Sequence, residues 1–254
     1  MPTWHLTTIW LGPIPIQVWG LFVAFGFGVA IWLTVKRAPR FGIDSKHVVD
    51  FGALAIVASF IGARVVYVLE ELPYFTERPF EVFAIWTGGL SSYGGFLGAT
   101  IAAVWFLKRR RIPWRQFSDL LAVHLPLGWF IGRLGCYSIH DHAGIPCNGA
   151  FCVPFPDGTR RLDMGLIDGL GTLAVYPLLL WLGRRPRPPG LLIGVLATWY
   201  GLQRFLLDFL RAAPDVIAGT PKYSGLTLAQ YLSLALFVFG IVIVWRAMRK
   251  TSAR

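Results

Sequence analysis

Apolar stretches with few or no charges recur along this 254-residue chain, separated by short clusters of Lys and Arg. Pro13 to Val35, Val48 to Leu69, Phe83 to Leu107, Leu120 to Cys136, Leu166 to Leu182, Leu191 to Leu210 and Leu226 to Trp245 approach or exceed the roughly 20 residues that a bilayer-crossing helix needs. The pattern predicts an all-α polytopic membrane protein with about seven transmembrane helices. Asp163 and Asp168 shorten the fifth stretch. The start of the chain lacks the basic residues and short cleavable apolar core of a secretory signal, so the first stretch reads as a retained helix. Without a low-complexity linker or an obvious repeat, residues 1–254 read as a single transmembrane domain. Its longest irregular segment, about 137–163, is long enough to be functional rather than a mere connection.

Composition sharpens this picture. The chain carries 24 Lys+Arg against 13 Asp+Glu, a net charge of +11, yet it is 55% hydrophobic and only 15% charged. So little polar surface excludes a soluble nucleic-acid-binding domain, and no nucleic-acid partner is expected. Most of the basic residues fall on one side of the predicted helices: Lys36, Arg37, Arg40 and Lys46; Lys108 to Arg111 and Arg115; Arg184, Arg185 and Arg187; Arg246, Arg249, Lys250 and Arg254. The opposite loops hold Arg78, Arg160, Arg161, Arg211 and Lys222 beside an acidic group at Glu70, Glu71, Glu77 and Glu81. Since Lys and Arg accumulate in cytoplasmic loops, the N-terminus is predicted outside and the C-terminus in the cytoplasm, with the 137–163 loop on the outer face.

Arg64, Arg133 and Arg204 remain at membrane depth, where an arginine costs about 2.5–3.5 kcal/mol and therefore faces a cavity, a partner or an anion. Asp208 lies one turn after Arg204 and can pair with it; Arg64 is close enough to the outer end of its helix to snorkel. Arg133 has no acidic neighbour within a helical turn, which makes a lipid phosphate its most economical partner. In the third stretch, Gly88, Gly89, Gly94, Gly95 and Gly98 permit either tight packing or a broken helix lining a cavity, and Ser91, Ser92 and Tyr93 between them offer hydroxyls to a headgroup. After Arg133, the run His140-Asp141-His142 supplies groups suited to proton transfer. Cys147 and Cys152 fit a disulfide or, with those histidines, a metal site; no metal ligand and no cofactor is assigned.

The motifs also follow an order. Trp19-Gly20-Leu21, Gly62-x-Arg64, the Gly88 to Gly98 pattern GGLSSYGGFLG, Ser118-Asp119, the G-R-x-G of Gly132 to Gly135, Pro186-Arg187-Pro188, the R-x-x-x-D-F-x-R run from Arg204 to Arg211, and Gln230 span nearly the whole chain. In this the sequence resembles the bacterial prolipoprotein diacylglyceryl transferase family. The resemblance implies a multi-pass protein of the bacterial inner membrane. It further implies transfer of the sn-1,2-diacylglyceryl group from phosphatidylglycerol to the lipobox cysteine carried by a preprolipoprotein signal peptide, forming a thioether. Arg133 and Arg204 match the family's essential arginines, and Gly144 its outer-loop glycine, where a missing side chain leaves room for lipid or peptide. The chain departs from the family where a histidine is replaced by Tyr93, an asparagine by Cys136, a tyrosine by Trp19, and where a histidine and a glutamate become Leu162 and Asp168. On this reading the catalytic candidates are Arg133, Arg204, Tyr93, His140, Asp141 and His142. The lipid-binding candidates are Arg133, Arg204, Arg64, Gly94, Gly95, Gly144 and Trp19, in contact with membrane lipids. A noncatalytic paralogue that binds lipid or lipoprotein precursors and a small-solute transporter are the rival readings.

Overall fold

The computed structural model describes residues 7–12, 14–84, 88–149, 151–155, 158–212 and 222–252. Pro13, the expected start of the first helix, residues 85–87 of the third stretch, and Arg254 lie outside them. The chain opens with an antiparallel hairpin, β1 (Thr8–Leu11) and β2 (Ile14–Gln17), and only then enters α1 (Val18–Arg37). There follow α2 (Ser45–Glu70), a short α3 (Leu72–Glu77), a 3-10 turn at Pro79–Phe83, α4 (Ser92–Arg110) and α5 (Trp114–Ile139). A three-stranded antiparallel sheet of β3 (Ala143–Pro146), β4 (Cys152–Pro154) and β5 (Arg160–Asp163), in the order β3-β5-β4, leads into α6 (Met164–Leu182). Then come α7 (Leu191–Leu207), a 3-10 turn at Asp208–Leu210, the two-residue strands β6 (Lys222–Tyr223) and β7 (Leu226–Thr227), and α8 (Leu228–Ser252).

The helical expectation holds, with small sheets added and boundaries moved. The first helix begins at Val18 rather than Pro13, because the alternating Ile14, Ile16 and Pro15 pair with β1 instead. The third begins at Ser92 rather than Phe83: Gly88 and Gly89 lie before it with φ of 90° and 78°, a backbone region open to glycine but strained for other residues. The fourth begins at Trp114 rather than Leu120, so Ser118 and Asp119 lie inside α5, and it runs to Ile139, so the irregular segment begins at His140. Among the described residues, five helical segments are long and apolar enough to cross a membrane: Val18–Phe41, Ser45–Glu70, Trp114–Ile139, Met164–Leu182 and Leu228–Arg249. α4 ends in Lys108, Arg109 and Arg110, which lower its apolar character, and α7 is short at 17 residues, so both fall outside that set.

By contacts the chain forms two compact units, Val35–Phe117 and Met1–Thr34 with Ser118–Arg254. Both are inverted relative to a soluble protein. Large apolar side chains such as Phe25, Phe60, Ile101 and Val238 point outward, while small residues line the helix contacts, as lipid solvation favours. In the smaller unit α2 meets α4 backbone to backbone: a Cβ on Gly94 would lie 2.2 Å from the Gly62 carbonyl. In the larger unit α7 meets α8 in the same way, through Gly194, Gly201 and Gly240. α7 also has its first turn capped from elsewhere, since Asp119 of α5 accepts the backbone N–H groups of Gly190 at 2.6 Å and Ile193 at 2.8 Å.

Candidate active site

Arg133 sits near the C-terminal end of α5 and is not without an acid. Its Nε lies 2.7 Å from Asp168 Oδ2 on α6, a partner supplied by tertiary packing and invisible within one helical turn of sequence. Asp168 is 1% exposed, and it also accepts from Trp129 Nε1 at 3.0 Å. Gln203 of α7 donates to the Asp168 carbonyl at 2.9 Å. Arg133 stacks on the Trp129 ring at 4.8 Å and comes within hydrogen-bonding reach of Tyr200. Such closeness of α5 and α6 depends on Gly165 and Gly169. A Cβ on Gly169 would stand 2.9 Å from Arg133 Cβ, and one on Gly165 would stand 3.0 Å from Cys136 Cβ.

A second charged group forms where α7 ends. Arg204 reaches Asp208 Oδ1 at 3.0 Å, the pair that their spacing allows, and Arg211 approaches the same oxygen at 3.8 Å. Asp208 is buried and also accepts the Thr227 hydroxyl, which caps α8 together with Gln230. Arg211 bridges through its backbone to Gly144. That glycine does not open a space, as the sequence reading supposed: a Cβ there would meet Leu162 and the Leu210 carbonyl within 2.9 Å, so it serves close backbone approach.

The segment after α5 completes the site. His140 adopts a left-handed φ of 51° and is buried, its Nδ1 2.6 Å from Asp163 Oδ2. It is Asp163, and not the adjacent Asp141, that orients this imidazole, while its other oxygen caps α6 by accepting Leu166 N at 3.0 Å. His142 Nδ1 lies 2.9 Å from the Asp141 carbonyl and 3.4 Å from its Oδ1. Burial pushes the Asp141 carboxyl up to about 6, against the pull of Arg133. Burial, followed by Arg133 and Arg211, holds the His142 imidazole down at about 3, so it is neutral at physiological pH. Burial, then Arg204, likewise lowers Arg211. The Cys136 thiol receives Arg133 Nη1 at 3.8 Å and lies within reach of the Trp19 side chain. Cys136, Asp141 and His142 bring their side-chain donor atoms within 4.8 Å of one another, a grouping the sequence reading did not make. Cys147 and Cys152 form a disulfide, which closes the metal alternative built on them.

Arg64, Tyr93, Gly94 and Gly95 belong to the smaller unit. Arg64 does not snorkel. It is 7% exposed and donates to the carbonyls of Val82, Gly88, Gly89 and Glu81 at 2.8, 2.7, 3.0 and 2.5 Å, tying both sides of the segment before α4. Ser91 spends its hydroxyl on Glu70 at 3.1 Å. Gly94 makes the helix contact already described, whereas Gly95 has only ordinary contacts and Tyr93 is exposed. Sequence reasoning missed Asp163, Asp168, Gln203 and Arg211 as site members. Two had a signal: Asp168 stands where the family has glutamate, and Arg211 closes the run that Arg204 opens.

Three guanidinium groups, Arg133, Arg204 and Arg211, thus act on one another and on His142, with Asp168 and Asp208 as their buried counterions. The cations outnumber these two carboxylates, and preorganised positive charge at low dielectric binds an anion and stabilises negative charge that develops on it. Fold and site together define a helical membrane protein with a buried group of arginines near the ends of α5 and α7. A family model described as prolipoprotein diacylglyceryl transferase matches residues 6–246. A Streptococcus agalactiae serotype Ia protein named phosphatidylglycerol--prolipoprotein diacylglyceryl transferase is 31% identical over 243 residues, covering 92% of each chain. Proteins of the same name from Cupriavidus metallidurans and Aliivibrio salmonicida are 33% and 32% identical, covering 99% and 96% of this chain and 97% and 88% of their own. The chain belongs to the prolipoprotein diacylglyceryl transferase family.

Proposed function

We propose that this protein transfers the diacylglyceryl group of phosphatidylglycerol to the lipobox cysteine of preprolipoproteins. It would work from a bacterial inner membrane crossed by all seven long helices, with its N-terminus outside and its C-terminus cytoplasmic. The observation that carries the reading is the arginine group anchored by Asp168 and Asp208. The substrate sulfur attacks the glyceryl carbon esterified to phosphate. A C–S bond forms, the C–O bond breaks, and its electron pair leaves on glycerol phosphate. Arg133 and Arg204, joined by Arg211, hold that phosphate before and after cleavage. Asp141 and His142, beside Arg133, are the groups we assign to handling the thiol, while His140 acts through Asp163 to set the backbone they stand on. Arg64, Gly94 and Gly144 act by fixing backbone, and Trp19, Tyr93 and Gly95 remain the candidates for touching lipid.

Purified protein, phosphatidylglycerol and a lipobox peptide are expected to yield the diacylglyceryl thioether, and Arg133→Ala to yield none. Absence of product from wild-type protein that still binds phosphatidylglycerol would overturn the reading. That outcome would favour the noncatalytic paralogue, whose support is Tyr93 in place of the family's histidine.

A further inference from the structure

Tyr93 stands where the family has a histidine, and at the end of α5 Cys136, Asp141 and His142 present a thiol, a carboxylate and an imidazole within 4.8 Å of one another. Asp141 Oδ1 is buried and makes no hydrogen bond among the described residues, with His142 Nδ1 3.4 Å away as a loose contact. A buried carboxylate oxygen left in that state is costly unless something else occupies its lone pairs. We propose that these three side chains bind a zinc ion that coordinates and activates the incoming substrate thiol. This rests on the transferase reading and deepens it.

The donor set suits that metal. Zinc takes thiolate, imidazole and carboxylate ligands, and its catalytic sites keep three protein ligands with a fourth position open. Its bond lengths ask for donor atoms about 3.5 Å apart, so binding would draw the three donors together from the 4.8 Å spread found. Nearby arginines do not forbid a cation here, because a thiolate and a carboxylate together cancel its two charges. Arg133 Nη1, 3.8 Å from Cys136 Sγ, then becomes a donor to a metal-bound sulfur, the outer contact that tunes such ligands.

The chemistry balances. The substrate thiol replaces water at the fourth position and loses its proton to solvent, because a coordinated thiol is deprotonated outright. Its thiolate lone pair forms the C–S bond while the C–O pair departs with the phosphate held at Arg133. The neutral thioether is a poor ligand and leaves. No oxidant or reductant is required.

The test uses full-length protein in detergent. Metal-free protein is titrated with Zn²⁺ and, separately, with Co²⁺, whose sulfur-to-metal charge-transfer band reports thiolate ligation directly on the wild type. One equivalent of tightly bound metal with that band is expected. Cys136→Ser is expected to lose the band, and His142→Ala to weaken binding by about a hundredfold or more, with folding of each checked by thermal unfolding. Thioether formation should stop on chelation and return on adding Zn²⁺. Cobalt binding without the band, zinc binding unchanged in Cys136→Ser, or full transferase activity in metal-free protein each overturns the inference. Activity without zinc leaves the transferase reading standing, whereas zinc binding without activity leaves the site and removes the reaction.

Discussion

Asp168 makes a quantitative prediction, since it holds the arginine nearest the proposed chemistry. Its carboxylate meets Arg133 Nε at 2.7 Å and Trp129 Nε1 at 3.0 Å, and it is 1% exposed. Asp168→Asn keeps the shape and one acceptor oxygen but removes the charge. A polar contact to a charged group, here the Arg133 ion pair, contributes about 1.5–3 kcal/mol, and one to a neutral group roughly half of that. The placement of Arg133 is then weakened by about 0.8–1.5 kcal/mol. At about 1.4 kcal/mol per decade, that is a roughly four- to twelvefold fall in kcat/KM for lipobox-peptide conversion. Asp168→Ala leaves a buried guanidinium without its counterion, which costs about 3–5 kcal/mol, so it should show in thermal unfolding as well as in rate. Initial rates at varied phosphatidylglycerol, with melting temperatures measured beside them, separate positioning from folding, and partial rescue by Asp168→Glu is expected. If Asp168→Asn retains wild-type kcat/KM and melting temperature, Asp168 does not position Arg133 and the argument fails.

Gly94→Leu drives a side chain into the Gly62 carbonyl, which a Cβ alone would approach to 2.2 Å, so the α2–α4 contact should open and the protein should unfold at a lower temperature in detergent. Gly144→Ala is expected to strain the contact with Leu162 and Leu210; the check is a lower transferase rate, with limited proteolysis reporting on the β3–β5 segment. Arg64→Lys replaces a planar fork that reaches four carbonyls by an ammonium that cannot reach all of them, and a loss of about 2–4 kcal/mol should appear as a depressed melting temperature. An unchanged melting temperature would mean that Arg64 does not tie the segment before α4.

Helices were legible from sequence wherever apolar character persisted, since bilayer crossing and helix formation leave the same pattern. The hairpin before α1 was not, because Ile14 and Ile16 are apolar whichever element they join. The expectation for Arg133 shows a second boundary of sequence reasoning. A partner one turn away on the same helix is visible in spacing, as Asp208 was for Arg204, while Asp168 lies 35 residues downstream and reaches Arg133 only because Gly165 and Gly169 let two helices touch. For the same reason Gly144 was read as empty space: whether a missing side chain is vacancy or contact depends on what packs over it. The grouping of Cys136, Asp141 and His142 needed the turn at His140, whose left-handed backbone follows from no periodicity.

The cap that Asp119 places on α7 sets a common level for the site. Both α5 and α7 run from the Asp119–Gly190 contact toward the arginines, and Arg133 and Arg204 each lie fourteen residues along from it. At about 1.5 Å of rise per residue, each lies about 21 Å along its helix from the shared origin, which brings two guanidiniums on separate helices to a common level. A one-residue insertion in either helix between those points would lift one arginine by about 1.5 Å and turn it by about 100° relative to the other. The helices therefore act as paired rulers, zeroed by one carboxylate at the far end from the chemistry.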